Sequence, residues 1–311
     1  MKKYSIFYLV AMAALMACSS DNDNSVNSTT DDGLVHLTAS PVTNTTRATD
    51  GLYTAETGFD GGEEVHVYFQ YATADLQEED YRVGPADAGY GYVSTLYRGT
   101  LRYPAGDSGE RALWAVYPAT SATRHCVAYD QTEDANYKAS DLMYATATAD
   151  LSDKRTPVNL AFSHQLAKLR VVLTKDSEVN QLTTVTMVNV QREVTVATDK
   201  DGLTLGTPSP ATGLDSSEGD NILVNNTAIT DNAPHTFAVV FPPQTWNDEA
   251  FLTVVADGKT LTYYLTKDNF MPGRTYTLQL TVDNAVLRAT NSIINWEVDE
   301  EPWTVKRYHQ D

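Results

Sequence analysis

From residue 34 onward the chain alternates. In "LVHLTAS" the apolar Val35, Leu37 and Ala39 are spaced by His36, Thr38 and Ser40, the period of two that sends successive side chains to opposite faces of a strand. "EEVHVYFQYA" repeats the pattern, with Val65, Val67 and Phe69 set against His66, Tyr68 and Gln70. "STLYRGTLRYP" and "RALWAVYPA" follow, each closed by a proline that cannot donate to a central ladder. "VNLAFSHQLAKLRVVLTKD" is one long apolar stretch in which helical spacing competes in the middle; its β-branched residues and "LRVVLT" favour strand. "QLTTVTMVNV" and "REVTVATDKDGLTLG" predict a meander with a turn at Asp199–Gly202. "GDNILVNNTAI", "HTFAVVFPPQTW", "FLTVVADGKTLTYYL", "RTYTLQLTVDN" and "NSIINWEV" complete the series. Turns such as "ADGK" and "MPGR" punctuate it at spacings of about 8–12 residues, as in antiparallel sandwiches. No segment has the spacing of a persuasive amphipathic helix. The expected fold is all-β or nearly so: two antiparallel β-sandwich domains in tandem, with a break near "SDKRTPV" that gives an N-terminal domain of 48–157 and a C-terminal domain of 158–311. "GTPSPATGLDSSEGD", 206–220, reads as a long loop within the second.

Before residue 34 the pattern is of another kind. Lys2 and Lys3 precede the apolar "YSIFYLVAMAALMA", which ends in "LMAC". A basic start and a short apolar run describe a signal peptide, residues 1–17, rather than a spanning helix. Leu15, Met16 and Ala17 before Cys18 resemble a bacterial lipobox, which implies cleavage before Cys18 and its acylation. Two or more acyl chains on one residue hold a protein stably on a membrane. The acidic "SSDNDNS" that follows resembles an export tag for the outer face of the outer membrane, or else a plain solvated tether; residues 18–33 are polar throughout. With Cys18 acylated, Cys126 has no intrachain partner and reads as a small buried or half-buried residue.

Charge narrows the function classes. The 311 residues carry a formal net charge of -19, which repels nucleic acid and anionic lipid surfaces. Catalytic echoes fail on inspection. "GDSGE" around Ser108 and "ATRHC" around His125 echo trypsin-like motifs, but in the wrong chain order and with Glu110 where glycine belongs; turn composition explains the former. "DKDG" begins like a calcium loop without its later ligands, so a hairpin turn explains it better. The six histidines show no i, i+4 pairing, and there is no glycine-rich phosphate loop. The expectation is no enzyme, no metal and no cofactor. Tyr90, Tyr92 and Trp114 are aromatic residues able to stack on sugars, which keeps open an alternative: a monomeric surface lipoprotein that binds glycan or another ligand.

Seven stretches in order, "FDGGEEVHVY", "LWAVYPA", "SDLMYATA", "VNLAFSHQLAKLRVVL", "FAVVFPPQTW", "MPGRTYTLQLTV" and "SIINW", together with the lipobox, resemble the Bacteroidales fimbrillin family, the FimA/Mfa-like pilins. Phe162–Lys168 and the series Gly273, Tyr276, Ile293, Trp296 carry most of the likeness. The resemblance implies transthyretin-like sandwich domains, export as an outer-membrane lipoprotein, cleavage after an arginine by a trypsin-like protease, and assembly with other fimbrial subunits, as a homo- or heteropolymer, by donor-strand exchange into adhesive fimbriae.

The chain itself supports part of this. Arg47 is the single Lys or Arg between residues 4 and 81, preceded by polar "TNTT". A cut at Arg47–Ala48 would release a propeptide, 18–47, that carries both the lipid and the alternating strand of Val35, Leu37 and Ala39. Losing an edge strand exposes apolar side chains and unpaired backbone, a template for another chain. Near the C-terminus, Ile294, Trp296 and Val298 alternate as the domain's own last strand, while Trp303 and Val305, within 303–308, are the better candidates for a donor.

Overall fold

A computed structural model describes residues 33–41, 59–71, 76–86, 93–119, 123–212, 219–283, 286–289 and 294–295. The strands before the middle of the chain are β1 (Leu37–Pro41), β2 (Glu64–Gln70), β3 (Leu76–Val83), β4 (Ser94–Tyr97), β5 (Glu110–Tyr117) and β6 (Arg124–Cys126). A short helix, α1 (Asp134–Ser140), precedes β7 (Met143–Asp150) and β8 (Val158–His164). Seven of these strands follow the hydrogen-bonded path β1-β4-β3-β2-β5-β7-β8, and the path closes because β8 returns to β1. The alternation in the sequence explains the interior: Val65, Val67 and Phe69 of β2 are fully buried, as are Leu113 and Ala115 of β5 and Leu160 of β8, and all belong to one apolar cluster.

The rest of the chain supplies β9 (Ala167–Lys175), β10 (Leu182–Val188), β11 (Glu193–Asp199), β12 (Gly202–Leu205), β13 (Asn221–Asn225), β14 (His235–Phe241), β15 (Thr245–Ala256), β16 (Lys259–Asn269), β17 (Thr275–Asp283), β18 (Val286–Ala289) and β19 (Ile294–Asn295). A four-stranded sheet runs β13-β10-β15-β16; a second runs β14-β9-β17-β18, with β19 also on β17; a third, small one runs β12-β11-β6. They enclose a second cluster. At its aromatic centre Trp246 meets Phe241, Phe251 and Phe270 edge to face, at centroid distances of 5.7, 5.0 and 5.4 Å. The protein is therefore nearly all β, as the period-2 pattern predicts, and β11 and β12 form the hairpin expected at Asp199–Gly202, where the Asp199 carboxylate accepts the amides of Asp201 and Gly202 at 2.8 and 3.1 Å. The Asn295 and Ile294 pairing with Tyr276 and Thr277 agrees with reading that segment as the chain's own strand.

Two details differ from the sequence pattern. The apolar run 158–175 is not one strand. It breaks at Gln165–Leu166: β8 closes the first barrel while β9 enters the second sheet. The change of core thus comes at 164–166 rather than near 152–158, since Leu160 and Phe162 pack in the first cluster and Leu166 in the second. What turns the chain is a backbone joint. The Gln165 amide donates to the Leu142 carbonyl at 2.8 Å, and the Leu166 carbonyl accepts from the Gly273 amide at 2.8 Å. The second difference is α1, seven residues too short for a periodic signal. Its Tyr137 packs on Ala238 and Val240 of β14, and Lys138 bridges Asp134 at 2.8 Å and Asp60 at 2.5 Å.

Gly273 is the residue the joint cannot replace. Its φ is +68°, and a Cβ there would sit 2.9 Å from the His164 carbonyl oxygen. Gly273→Ala should lower the unfolding free energy by about 1–3 kcal/mol. Gly258→Ala, at φ +78° but with nothing within 4 Å, should cost less than that, about 1 kcal/mol. Urea titrations of both variants check this; equal losses would show that the His164 approach does not matter. A second expectation concerns Asp268 on β16, opposite Trp246, whose carboxyl burial pushes up to about 6. Its folded value lies above its unfolded one, so the buried anion costs stability at pH 7, and the cost is relieved as pH falls from about 7 towards 4. Asp268→Asn should remove that part of the pH dependence, worth on the order of 3 kcal/mol, as read by the difference between the two stability–pH curves.

Candidate functional site

β1 is the strand on which the first barrel closes, and its two sides are bonded differently. On one side it runs parallel to β8, with Leu37 opposite Val158, Ala39 opposite Leu160 and Pro41 opposite Phe162. On the other it runs antiparallel to β4, with Thr38 opposite Thr95 and Ala39 opposite Ser94. Just before β1, the Val35 amide donates to the Leu101 carbonyl at 2.8 Å and the Tyr103 amide to the Gly33 carbonyl at 3.0 Å. Residues 33–41 are thus held along their whole length, beside a strand that lies more than a hundred residues away in sequence.

The side chains follow the alternation. Val35, Leu37 and Ala39 point inward and are 3%, 2% and 0% exposed. On the outer face the Thr38 hydroxyl donates to the Asn159 side-chain carbonyl at 3.1 Å, and the Asn159 amide donates to the Ser40 hydroxyl at 2.9 Å. Burial of the valine and the leucine is worth about 1.5–3 kcal/mol each, and each ladder bond adds about 0.5–1.5 kcal/mol net. Against a total stability of about 5–15 kcal/mol for a domain, this one strand carries a large share. At its end, Phe162 also lines a small open cleft with Phe59, Tyr117 and Met143 on its apolar walls and Asp60, Glu63 and Asp141 among its charged groups. Burial raises the Tyr117 phenol well above its usual value, and His164 at the cleft is paired with Asp141 at 2.8 Å.

Of the residues singled out in the sequence, Val35, Leu37 and Ala39 are brought together in this closing strand. Cys18, Arg47, Ala48, Trp303, Val305, Tyr90 and Tyr92 lie outside the described residues. Trp114 is not a sugar platform. It points away from the barrel interior into the second core, is 5% exposed, and stacks on Tyr68 at 5.3 Å and 13°. The β11–β12 turn covers this face, where the Tyr144 hydroxyl donates to the Asp199 carbonyl at 2.6 Å and Thr146 to the Lys200 carbonyl at 3.2 Å. Ser108 sits in an exposed turn beside Asp107, whereas His125 is buried with its Nε2 against the Ser140 carbonyl at 2.8 Å, and burial pushes its imidazole down. Among the described residues no group of three or more His, Cys, Asp or Glu side chains is arranged to hold a metal ion. Asn159 carries no mark in the sequence: an exposed polar residue within a strand gives no signal until its two hydroxyl partners are known.

The fimbrillin-like family model matches residues 46–303. Among solved structures, the chain resembles a proposed cell adhesion protein from Bacteroides uniformis ATCC 8492, with 19% identity over 86% of this chain and 99% of the other and a TM-score of 0.60. It also resembles one from Bacteroides ovatus ATCC 8483, with 18% identity over 86% and 99% and a TM-score of 0.54. The tip fimbrial protein Mfa3 from Porphyromonas gingivalis overlays at 11% identity, over 85% and 99%, with a TM-score of 0.48. The likeness to the two Bacteroides proteins is one of fold. No curated protein matches the chain.

The energetics of β1 generate a direct expectation. Leu37→Ala should destabilise the protein by about 2–5 kcal/mol, and Asn159→Ala by about 0.5–1.5 kcal/mol, each measured by urea unfolding. A loss under about 0.5 kcal/mol for Leu37→Ala, the size of an ordinary surface change, would mean that the strand does not hold the barrel shut.

Proposed function

Because the chain belongs to the fimbrillin-like family, we propose that it is a fimbrial subunit whose closing strand is removed and replaced on assembly. The observation that supports this most is the placing of β1. It is the first described strand, it is bonded on both edges and buried on its inner face, and Arg47 follows it six residues after Pro41. In this reading Cys18 carries lipid and anchors the precursor at the outer membrane. A trypsin-like protease then cuts Arg47–Ala48, and lipid and strand are lost together.

The physical consequence of the cut is a change of molecularity. While the chain is intact, any excursion of β1 ends in an intramolecular return at high effective concentration. After cleavage the strand is a separate peptide that dilutes away once it leaves. The groove then presents the unpaired edges of β4 and β8 and the vacated positions of Val35, Leu37 and Ala39. An extended segment of another subunit restores both ladders and the apolar contacts, as strand addition does elsewhere. One groove and one donor per subunit make a contact that does not close, and the product is a filament. Trp303 and Val305 within 303–308 are the donor that this reading assigns to the chain.

The protein recovered from sheared fimbriae of the producing bacterium should begin at Ala48, and the membrane-bound precursor at a lipidated Cys18, as read by mass spectrometry of the N-terminal peptide. Arg47→Ala should leave the subunit folded at the cell surface and lower its amount in the fimbrial fraction at least roughly tenfold, since strand release is then lost. Normal incorporation of that variant would sink the proposal.

A further inference from the structure

The groove that β1 fills has an order of sizes. Its first two inward positions hold Val35 and Leu37; the third holds Ala39, which has no exposed surface and lies opposite Leu160 and Ser94, both fully buried as well. In a wall packed this closely, a side chain larger than a methyl group at the third position must move its neighbours. The outer face adds a register, because Asn159 is satisfied by the hydroxyls at positions 38 and 40. Past Pro41 the path leads by Phe162 to the cleft with Asp60, Glu63 and Asp141. The cation there, Lys138, is already bound by Asp60 and Asp134.

The segments of this chain after residue 293 do not match that template. With Ile294, Trp296 and Val298 in the three positions, Trp replaces Leu, Val replaces Ala, and Asp299, Glu300 and Glu301 follow towards the acidic cleft. With Trp303, Val305 and Arg307 in them, a guanidinium occupies the fully buried third position, where an unpaired charge is strongly disfavoured. Moving that frame by two places puts Glu301 in the Val35 position and still leaves Trp303 and Val305 in the places of Leu37 and Ala39. Charge points the same way. The whole chain stands at -19, and removal of residues 1–47 takes Lys2, Lys3 and Arg47 along with Asp21, Asp23, Asp31 and Asp32. Two processed copies are both strongly acidic and repel.

We infer that the groove receives the strand of a different subunit and not that of a second copy of this chain. The occupant is an extended segment that runs parallel to β8. At alternate inward positions it carries a β-branched residue, a leucine-sized residue and then Ala, Ser or Gly. It offers hydroxyl groups to Asn159, and neutral or basic residues follow. The donor segment of this chain is accordingly matched to another protein's groove. This rests on the strand-exchange reading and narrows its product to a heteropolymer.

Peptide exchange into the full chain, nicked after Arg47 by brief trypsin treatment, tests it. Labelled peptides of residues 33–41, the same peptide with Ala39→Leu, residues 292–300 and residues 301–309 are offered in excess, and retention is read after gel filtration. The 33–41 peptide should be retained, the Ala39→Leu peptide should bind about ten- to a hundredfold more weakly, and neither tail peptide should be retained. The nicked protein alone should stay monomeric by light scattering. Retention of a tail peptide as tight as that of 33–41, or filaments from the nicked chain alone, would overturn the selectivity and leave strand exchange standing. No uptake of any peptide, 33–41 included, by a nicked protein that circular dichroism shows to be folded would remove strand exchange and this inference together.

Discussion

A sheet must do something with its edges, and in the first half of this protein everything turns on how that is done. Without β1, the free edges of β4 and β8 would face each other across a gap. β1 spans the gap, antiparallel to one edge and parallel to the other. Barrel closure removes edges altogether, so one short strand both completes two ladders and seals the apolar interior over Leu160 and Phe162. A fold that puts its closing element ahead of the other strands can lose that element by a single cut without disturbing their order.

The second half has a core of its own. Its core is a separate cluster centred on Trp246, Phe241, Phe251 and Phe270, and none of its sheets pairs with β1. The two halves share the wall made by β5 and β7, whose residues alternate between the cores: Leu113, Ala115 and Ala145 face the first, Trp114, Val116 and Tyr144 the second. The chain crosses at Gln165–Leu166 and is pinned there by Gly273. The stretches Phe162–Lys168 and Gly273–Tyr276, distant in sequence, are thus two sides of one joint, which gives a physical reason for their prominence in the family likeness.

Much of this is legible in the period-2 pattern, because a strand with one buried face writes its burial into every second residue. Spacing alone assigns Val35, Leu37 and Ala39 to one face, and local turn chemistry alone places the turn at Asp199–Gly202. What the pattern hides is what depends on partners far away. A strand buried on both faces, such as β5, has no polar face to betray it, and Trp114 therefore reads as available although it lies in the second core. The run 158–175 is apolar on both sides of the crossing, so composition gives no mark of the break; the mark is a carbonyl approached by a glycine more than a hundred residues later. The role of Asn159 depends on the hydroxyls of Thr38 and Ser40, again a pairing that no local pattern encodes.

If strand exchange drives assembly, β1 must leave its place for assembly to proceed. Thr38 and Asn159 are paired neighbours on β1 and β8, close enough in such a register for a disulfide between cysteines. The measurement is the assembly of the Thr38→Cys, Asn159→Cys variant after cleavage at Arg47–Ala48, oxidised and reduced. The oxidised protein should be cut, keep its strand and stay out of filaments, and reduction should restore incorporation. Incorporation of the oxidised, cross-linked protein at the rate of the reduced one would contradict strand exchange.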